Sequence, residues 1–470
     1  MRTCLFLISL LSAGLLPEAS GAKPPNILVI LVDDMGYGDL TAYNPESKIP
    51  TPHLDKLARD GMRFTDAHAP GPLCHLSRYG LLTGRYPFRA NTGAWRTQPS
   101  IETGQLTVAS LLKEKGYHTA MVGKWHLGFK ENGYDKPLPG GPVDVGFQSF
   151  FGIRASTDIP PYFYIRGSRA VEPPTKTIEA NNTPGWSRIQ GAFWRGGGIA
   201  PDLRLDDVLP RFTREALAVI ADHDPKEGNP LFLYLAYPAP HTPWLPSRQF
   251  RGKSGAGIYG EFCSMVDAEV GRVLQGLETQ KMADDTLVIF TSDNGPVWYD
   301  VDVQRSGHDS AGGLRGMKAD AWEAGHRMPF LVRWPGMVEA GSVTHHLVCF
   351  TDLLATFAEL VNGKLPGKGD LDSESFLPVL TDSSTRHPPR GPIVMRAGSG
   401  AMMIRDQEWK LIDQLGSGGF SNPKRVKPGP DDPKGQLYNL SADPSEQSNL
   451  WKRHPELVRK LTARMRKIVK

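Results

Sequence analysis

Residues 26–34 read Asn-Ile-Leu-Val-Ile-Leu-Val-Asp-Asp. Six successive aliphatic side chains leave no polar face, so the run predicts a strand covered on both sides, as central strands of a parallel sheet are. It stops abruptly at two carboxylates, which places Asp33 and Asp34 beyond the strand's carboxyl end. Two further runs share this grammar: 231–237, and 286–291, which leads into Ser292-Asp293-Asn294-Gly295. Helical spacing alternates with them at 52–61, 106–115, 209–221 and 262–279. Strands alternating with helices predict an α/β chain, a layered sheet with helices on both faces. Ligands of such sheets bind beyond the carboxyl ends of the strands. Both acidic clusters fall there.

From 366 to 392 the chain turns polar and rich in Pro, Gly and Ser, which marks a boundary. Beyond it, strands are expected at 401–405 and 408–412, turning at Asp406-Gln407, then at 437–440, with a helix at 454–468. The expected division is a signal peptide over 1–22, a catalytic domain over 23–380 and a small C-terminal α+β domain over 381–470. Residues 154–205 interrupt the alternation with no steady period, and a segment of that length in a compact domain reads as a pocket wall.

With 470 residues, 40% of them hydrophobic, the chain can build one large core and a smaller one. The 50 Gly and 40 Pro are scattered among apolar runs and imply loops, not low complexity. The formal net charge is +4. Much of it sits in the last 19 residues, which read as the solvated face of a terminal helix. No nucleic-acid-binding motif accompanies it, so no nucleic-acid partner is expected. Arg2, the apolar run 5–16 and Ala19-Ser20-Gly21-Ala22 form a secretory signal cleaved after Ala22. No later run has the length of a membrane span. The protein is therefore expected to be exported, periplasmic or secreted. Cys4 leaves with the signal, and Cys74, Cys263 and Cys349 remain. An odd count in an oxidising compartment gives one thiol a separate fate. If that thiol is Cys74, the other two either pair or stay buried.

The chemistry concentrates in a few places. Asp33, Asp34, Asp293 and Asn294 come from two strand ends, and carboxylates brought together repel unless a cation sits among them. Oxygen donors with an amide favour Ca²⁺ before Mg²⁺. Cys74 lies between a Pro70-Gly71-Pro72 turn and an expected helix, in the positive field of a helix start, with Arg78 close by. In Gly123-Lys124-Trp125-His126, alternate residues of an extended segment put Lys124 and His126 on one face, suited to holding an anion and relaying a proton. His241, in a Pro-His-Thr-Pro turn after the strand 231–237, is placed to act as a general acid or to hydrogen-bond within the turn. Lys318, after a Gly-containing turn, can reach an anionic oxygen, with His308 upstream in the same pocket. Trp95, Trp186, Trp194 and Trp244 either stack on sugar rings or belong to the core.

The ordered set resembles the type I sulfatases, across Asn26 to Pro329. It comprises Asp33-Asp34 after the first strand, then Cys74-His75-Leu76-Ser77-Arg78, Gly123-Lys124-Trp125-His126, Pro240-His241-Thr242, Thr291-Ser292-Asp293-Asn294-Gly295, and Arg315-Gly316-Met317-Lys318 before Trp322-Glu323. The resemblance implies an alkaline-phosphatase-like fold. It implies that Cys74 is oxidised by a formylglycine-generating enzyme to the aldehyde formylglycine. It implies calcium ligands Asp33, Asp34, Asp293 and Asn294, completed by position 74. Arg78 would steady the aldehyde hydrate, Lys124 and Lys318 would bind sulfate oxygens, His126 would face the hydrate, and His241 would protonate the leaving oxygen. Ser156, in Phe151-Gly152-Ile153-Arg154-Ala155-Ser156, matches a segment that supplies a pocket serine. Leu76 departs from the family pattern, which has Pro or Ala there.

The function so implied is hydrolysis of sulfate monoesters on sulfated carbohydrates or aryl sulfates. Two rival readings stand beside it. One is a phosphatase or phosphonate monoesterase on the same fold, against which Asn294 argues, because such sites often carry His there. The other is a non-catalytic binder of sulfated glycans in which Cys74 stays a thiol.

Overall fold

A computed structural model describes residues 24–223, 228–367, 369–382 and 387–470. The expected signal peptide lies outside the described residues. Asn26–Asp33 is the strand its composition predicts, buried along almost its whole length. It pairs in parallel with Leu231–Pro240 on one side and Thr286–Ser292 on the other. His118–Lys124 and Ser149–Ile153 continue the parallel set. Phe330–Arg333 turns antiparallel against Thr286–Ser292, and short strands finish both edges of a ten-stranded sheet. The all-buried patterns of the central strands require a cover on each face. One group of packed helices is Pro52–Arg59, Val208–Asp222 and Gly257–Thr279; another is Cys74–Thr83, Val108–Glu114 and Asp352–Leu360. Each expected strand and helix of this layer is present, with ends shifted by a few residues at most except at the start of the 23-residue helix Gly257–Thr279.

The register brings residues far apart in sequence to one edge. Val32 stands opposite Ser292, and Asp33 opposite Pro240 after a bulge. The carboxyl ends that carry Asp33, Lys124, Asp293 and the His241 turn therefore share that edge.

A four-stranded antiparallel sheet, Ile393–Arg396, Met402–Asp406, Trp409–Ile412 and Gln436–Asn439, forms the small C-terminal domain with the helix Pro455–Val469. Gln407 takes a positive φ at the hairpin turn anticipated at Asp406-Gln407. Val458, Leu461 and Met465 bury the helix on this sheet, so its basic residues do face outward. The segment 154–205 is mostly irregular, adding Ile165–Arg166 and Arg169–Ala170 to the sheet edge. Cys263 and Cys349 are both buried and free.

Gly123 has φ +122°, and a Cβ there would stand 1.9 Å from the Ala236 carbonyl oxygen of the neighbouring strand. Any side chain must break the pairing that aims Lys124. Gly167 also has positive φ, yet nothing lies near its missing Cβ. Gly167→Ala should cost about 1 kcal/mol from backbone conformation alone. Gly123→Ala should cost several times that and lose soluble protein, as thermal unfolding and expression yield will show.

Candidate active site

Asp33 ends the first strand in extended backbone, and Asp34 turns the chain through a left-handed φ of +66°. Such a conformation is costly for a residue with a Cβ and is kept where the surroundings demand it. It is held by Met35 N–H donating to Ser292 Oγ at 3.0 Å, which ties the two strand ends together. Asp33, Asp34, Asp293 and Asn294 are all buried. Three cations answer the three carboxylates. Arg78 donates from Nε and Nη2 to Asp293 Oδ2 at 3.0 and 2.7 Å, and from Nη1 to the Lys124 carbonyl at 2.9 Å. Lys124 Nζ pairs with Asp33 Oδ2. Lys318 Nζ donates to Asp34 Oδ1 at 2.5 Å.

Cys74 opens the helix Cys74–Thr83 and is 4% exposed. Its Sγ lies 3.3 Å from Asp33 Oδ1 and 3.3 Å from Lys318 Nζ. Burial, then the Asp293 and Asp33 carboxylates, push its thiol far above the usual range. It is no thiolate nucleophile, despite the helix start and Arg78. Burial works to raise Asp33, but Lys124, His241, Arg78 and Lys318 hold it well below the carboxylate range. Asp293 goes the other way: burial and the Asp33 charge push it up to about 6 against Arg78 and Lys124.

His241 Nδ1 lies 2.7 Å from the Thr242 carbonyl, so Nδ1 carries the proton and Nε2 faces Asp34 Oδ2 at 3.7 Å. The 154–205 segment does wall this turn: Thr242 Oγ1 and Trp244 N–H donate to the Gly191 carbonyl at 2.7 and 2.8 Å. His126 also takes a left-handed φ, +60°, and both its ring nitrogens are buried without partners. Burial, then Lys124 and His75, hold it neutral. Ser156 is buried with an unpartnered hydroxyl, next to Thr157, whose hydroxyl donates to the Thr242 carbonyl at 3.4 Å.

His308 is a correction. It is fully buried, with Nε2 2.8 Å from Asp39 Oδ1 and Nδ1 accepting from the Lys48 N–H at 3.3 Å. Both nitrogens are used within the core, so it has none to offer a substrate. Of the tryptophans, Trp95 and Trp244 are buried, while Trp186 and Trp194 are half-buried. His75 and Trp95 went unnoticed in sequence as neighbours of His126. Trp95 meets its ring edge-on at 4.2 Å and His75 stands 5.9 Å away. The position of His75 beside Cys74 was the only available signal.

The donor set fits a hard cation. One donor atom each from Asp33, Asp34, Cys74 and His241 lies within 4.8 Å of the others. The buried Asn294 Oδ1 has no hydrogen-bond partner, although its amide donates to Asp34 Oδ1 at 2.6 Å. An orphaned acceptor among buried carboxylates is what a bound cation would satisfy. His241 is the weakest member of that group for such an ion, because imidazole is not a preferred hard-cation ligand.

The sulfatase family model matches residues 25–363. The N-acetylgalactosamine-6-O-sulfatase of Bacteroides thetaiotaomicron is 33% identical over 483 residues, covering 95% of this chain and 93% of that one. Arylsulfatase A of Bos taurus is 34% identical over 472 residues, covering 94% and 85%. Among solved structures, a Bacteroides thetaiotaomicron sulfatase described with that organism's metabolism of multiple glycosaminoglycans superposes with a TM-score of 0.83. It is 32% identical and covers 95% of this chain and 100% of that one.

Removing one partner of a buried ion pair leaves an uncompensated charge and costs about 3–5 kcal/mol. Arg78→Met does this to Asp293, whose carboxyl is already pushed up to about 6. Protonation relieves the charge at low pH, so stability is lost as pH rises through that value. With chelator present, the fall in Tm should be larger at pH 8 than at pH 5. Equal falls at both would show that Asp293 is not the group left unpaired.

Proposed function

The chain belongs to the sulfatase family, and from that premise we propose how its buried centre hydrolyses sulfate esters and on what. It is a sulfuric ester hydrolase. The proposed substrate is a sulfated carbohydrate, supported by the N-acetylgalactosamine-6-O-sulfatase relative that aligns along nearly the whole chain. The observation that carries the mechanism is the meeting of two lysines, Cys74 and His241 around carboxylates at one strand edge.

Asp33, Asp34, Asp293 and Asn294 would hold Ca²⁺, with position 74 completing the shell, in preference to Mg²⁺, which demands near-ideal octahedral geometry and usually keeps several waters. When bound, the cation supplies Lewis-acid polarisation, and formylglycine derived from Cys74 supplies a hydrated carbonyl with two hydroxyls on one carbon. Lys124 and Lys318 take the sulfate oxygens and offset the charge that builds as the ester bond breaks. Arg78 keeps Asp293 and the Lys124 backbone in place behind position 74. His126, held neutral and without a hydrogen-bond partner, would offer a ring nitrogen as a hydrogen-bond acceptor toward the group at position 74. His241, with Nδ1–H anchored on its own turn, presents Nε2, which as part of the imidazolium gives its proton to the leaving sugar oxygen. Ser156 lends a free hydroxyl to the pocket.

Cys74 is buried, so a formylglycine-generating enzyme would have to act before folding closes the site, with Leu76 reducing its efficiency. The amino-terminal run supports export to the periplasm or the outside. Among the described residues, no helix is long and apolar enough to cross a membrane.

Mass spectrometry of the Cys74 peptide should show the aldehyde-bearing species in active protein, and turnover by wholly thiol-bearing protein would sink the formylglycine reading. Lys124→Ala should lower kcat on nitrophenyl sulfate by about 10²–10⁴-fold, and His241→Ala should do so on a sulfated sugar but far less on nitrophenyl sulfate, whose leaving group needs no proton, with nitrophenyl phosphate a poor substrate throughout. Added Ca²⁺ should raise Tm more at pH 8 than at pH 5, because Asp293, pushed up to about 6, must lose its proton to bind.

A further inference from the structure

A second charged cluster lies buried where the C-terminal sheet meets the main sheet. Lys410 Nζ, fully buried, donates to Glu323 Oε1 at 2.9 Å and lies 3.1 Å from His326 Nε2. It also stands 2.9 Å from Glu446 Oε1, though off the line that a hydrogen bond needs. Asp66 takes His68 Nε2 at 2.8 Å and Arg405 Nη2 at 2.8 Å. Arg327 donates to the Thr65 carbonyl at 2.8 Å and to Glu323 Oε2 at 3.3 Å. His68, Glu323 and His326 have donors close enough to share a metal ion, but the Lys410 ammonium already stands against Glu323 and His326. This cluster is not a metal site.

Lys410, Arg327 and Arg405 are cations. Burial works to raise Asp66, but His68 and Arg327 hold it ionised, and Lys410 does the same for Glu323. Burial pushes Glu446 up to about 7 in spite of Lys410, so at neutral pH it supplies only part of a charge. His326 is held neutral by burial and by Lys410. The geometry shows which cation of the cluster is left short of partners. Arg405 is 5% exposed, and its Nε and Nη1 are buried with no hydrogen-bond partner. A buried cationic donor left unmade is among the costlier omissions in a protein interior.

A cavity of about 500 Å³ opens beside it, lined by Thr65, Asp66, Arg327, Arg405, His345 and His387, among others. We propose that this seam cavity, whose wall also holds Arg390 and the exposed Glu408, is a second ligand site that takes an oxyanion, a sulfate or carboxylate group, against the Arg405 and Arg327 guanidinium groups. Guanidinium nitrogens set in a fixed fork match the paired oxygens of such groups. The source is either free sulfate, which the reaction itself releases, or an acidic group on a saccharide, for which the cavity has room. Arg405 and Arg327 lie outside the Cys74 centre, and neither touches Lys124 or Lys318.

The test uses the full chain carrying Lys318→Ala, which weakens anion binding at the Cys74 centre. Sodium sulfate is titrated against sodium chloride at constant ionic strength while Tm is read. A site gives a saturable rise, whereas general salting stabilises without saturation. The rise should be absent from Lys318→Ala/Arg405→Gln. A parallel titration with sodium glucuronate assigns the source: saturation at lower concentration than sulfate favours an acidic sugar, and the reverse favours the free ion. If neither salt acts saturably, the cavity holds water and the proposal is wrong. Should Arg405→Gln fail to fold, selenate soaked into wild-type crystals decides. Anomalous density in the cavity against Arg405 and Arg327 supports the site, and density only at Lys124 and Lys318 overturns it.

Discussion

Three carboxylates, Asp33, Asp34 and Asp293, are buried at one edge of a parallel sheet, and charges so placed must be neutralised on the spot. The rest of the main domain is arranged to do this. The parallel register puts Asp293 beside Asp33; the strand His118–Lys124, on the far side of Leu231–Pro240, delivers Lys124; the helix that starts at Cys74 delivers Arg78; a loop delivers Lys318. Each cation arrives on a different element. Displacing any of these elements would therefore strand a charge, so packing far from the centre is coupled to electrostatics within it. The left-handed backbone at Asp34 and His126 belongs to the same arrangement, since both conformations cost energy that the surrounding contacts must offset.

The C-terminal sheet shares in holding the centre. Gly398 N–H donates to the Ala319 carbonyl at 2.9 Å and Ala321 N–H to the Ser417 carbonyl at 2.7 Å, so the loop that carries Lys318 is clamped from the second domain. The same loop is held on its other side by Ala319 N–H donating to the Pro72 carbonyl at 2.8 Å, two residues before Cys74. The seam sets charge among apolar contacts: Tyr86, Trp322 and Leu347 pack into the core of the C-terminal sheet, and Lys410, Arg405 and their carboxylates are buried beside them. Buried ion pairs add little net stability over well-packed apolar groups, but they penalise any misaligned docking heavily. Here that penalty falls on the placement of Lys318.

Much of this was legible from sequence because it rests on strong local signals. An all-aliphatic run that stops at Asp33-Asp34 has one plausible place in an α/β layer, and Asp293-Asn294 repeats the signal. The ordered motifs then gave Cys74, Arg78, Lys124, His126, His241 and Lys318 their neighbourhood. His308 misled because proximity in sequence to Lys318 says nothing about direction, and Asp39, which claims its ring, lies 269 residues away. His75 and Trp95 escaped notice because ring contacts with His126 depend on helix orientation, which has no periodic trace. The Arg405 cluster was invisible for a similar reason: Arg405 and Lys410 look like exposed hairpin charges until the sheet is docked on Asp66 and Glu323.

The spacing of the centre along the chain has a consequence in time. Asp34 N–H reaches Asp293 Oδ1 across 259 residues of sequence. At ordinary rates of synthesis, on the order of tens of seconds separate the emergence of the first strand from that of its partner. Until Thr286–Ser292 and the loop behind it are made, the Cys74 stretch lacks Asp293, which anchors Arg78, and Lys318, which meets the Cys74 sulfur. The topology thus leaves the Cys74 segment short of partners during synthesis and closes it late, so the order of events there is set by where those partners lie in the chain.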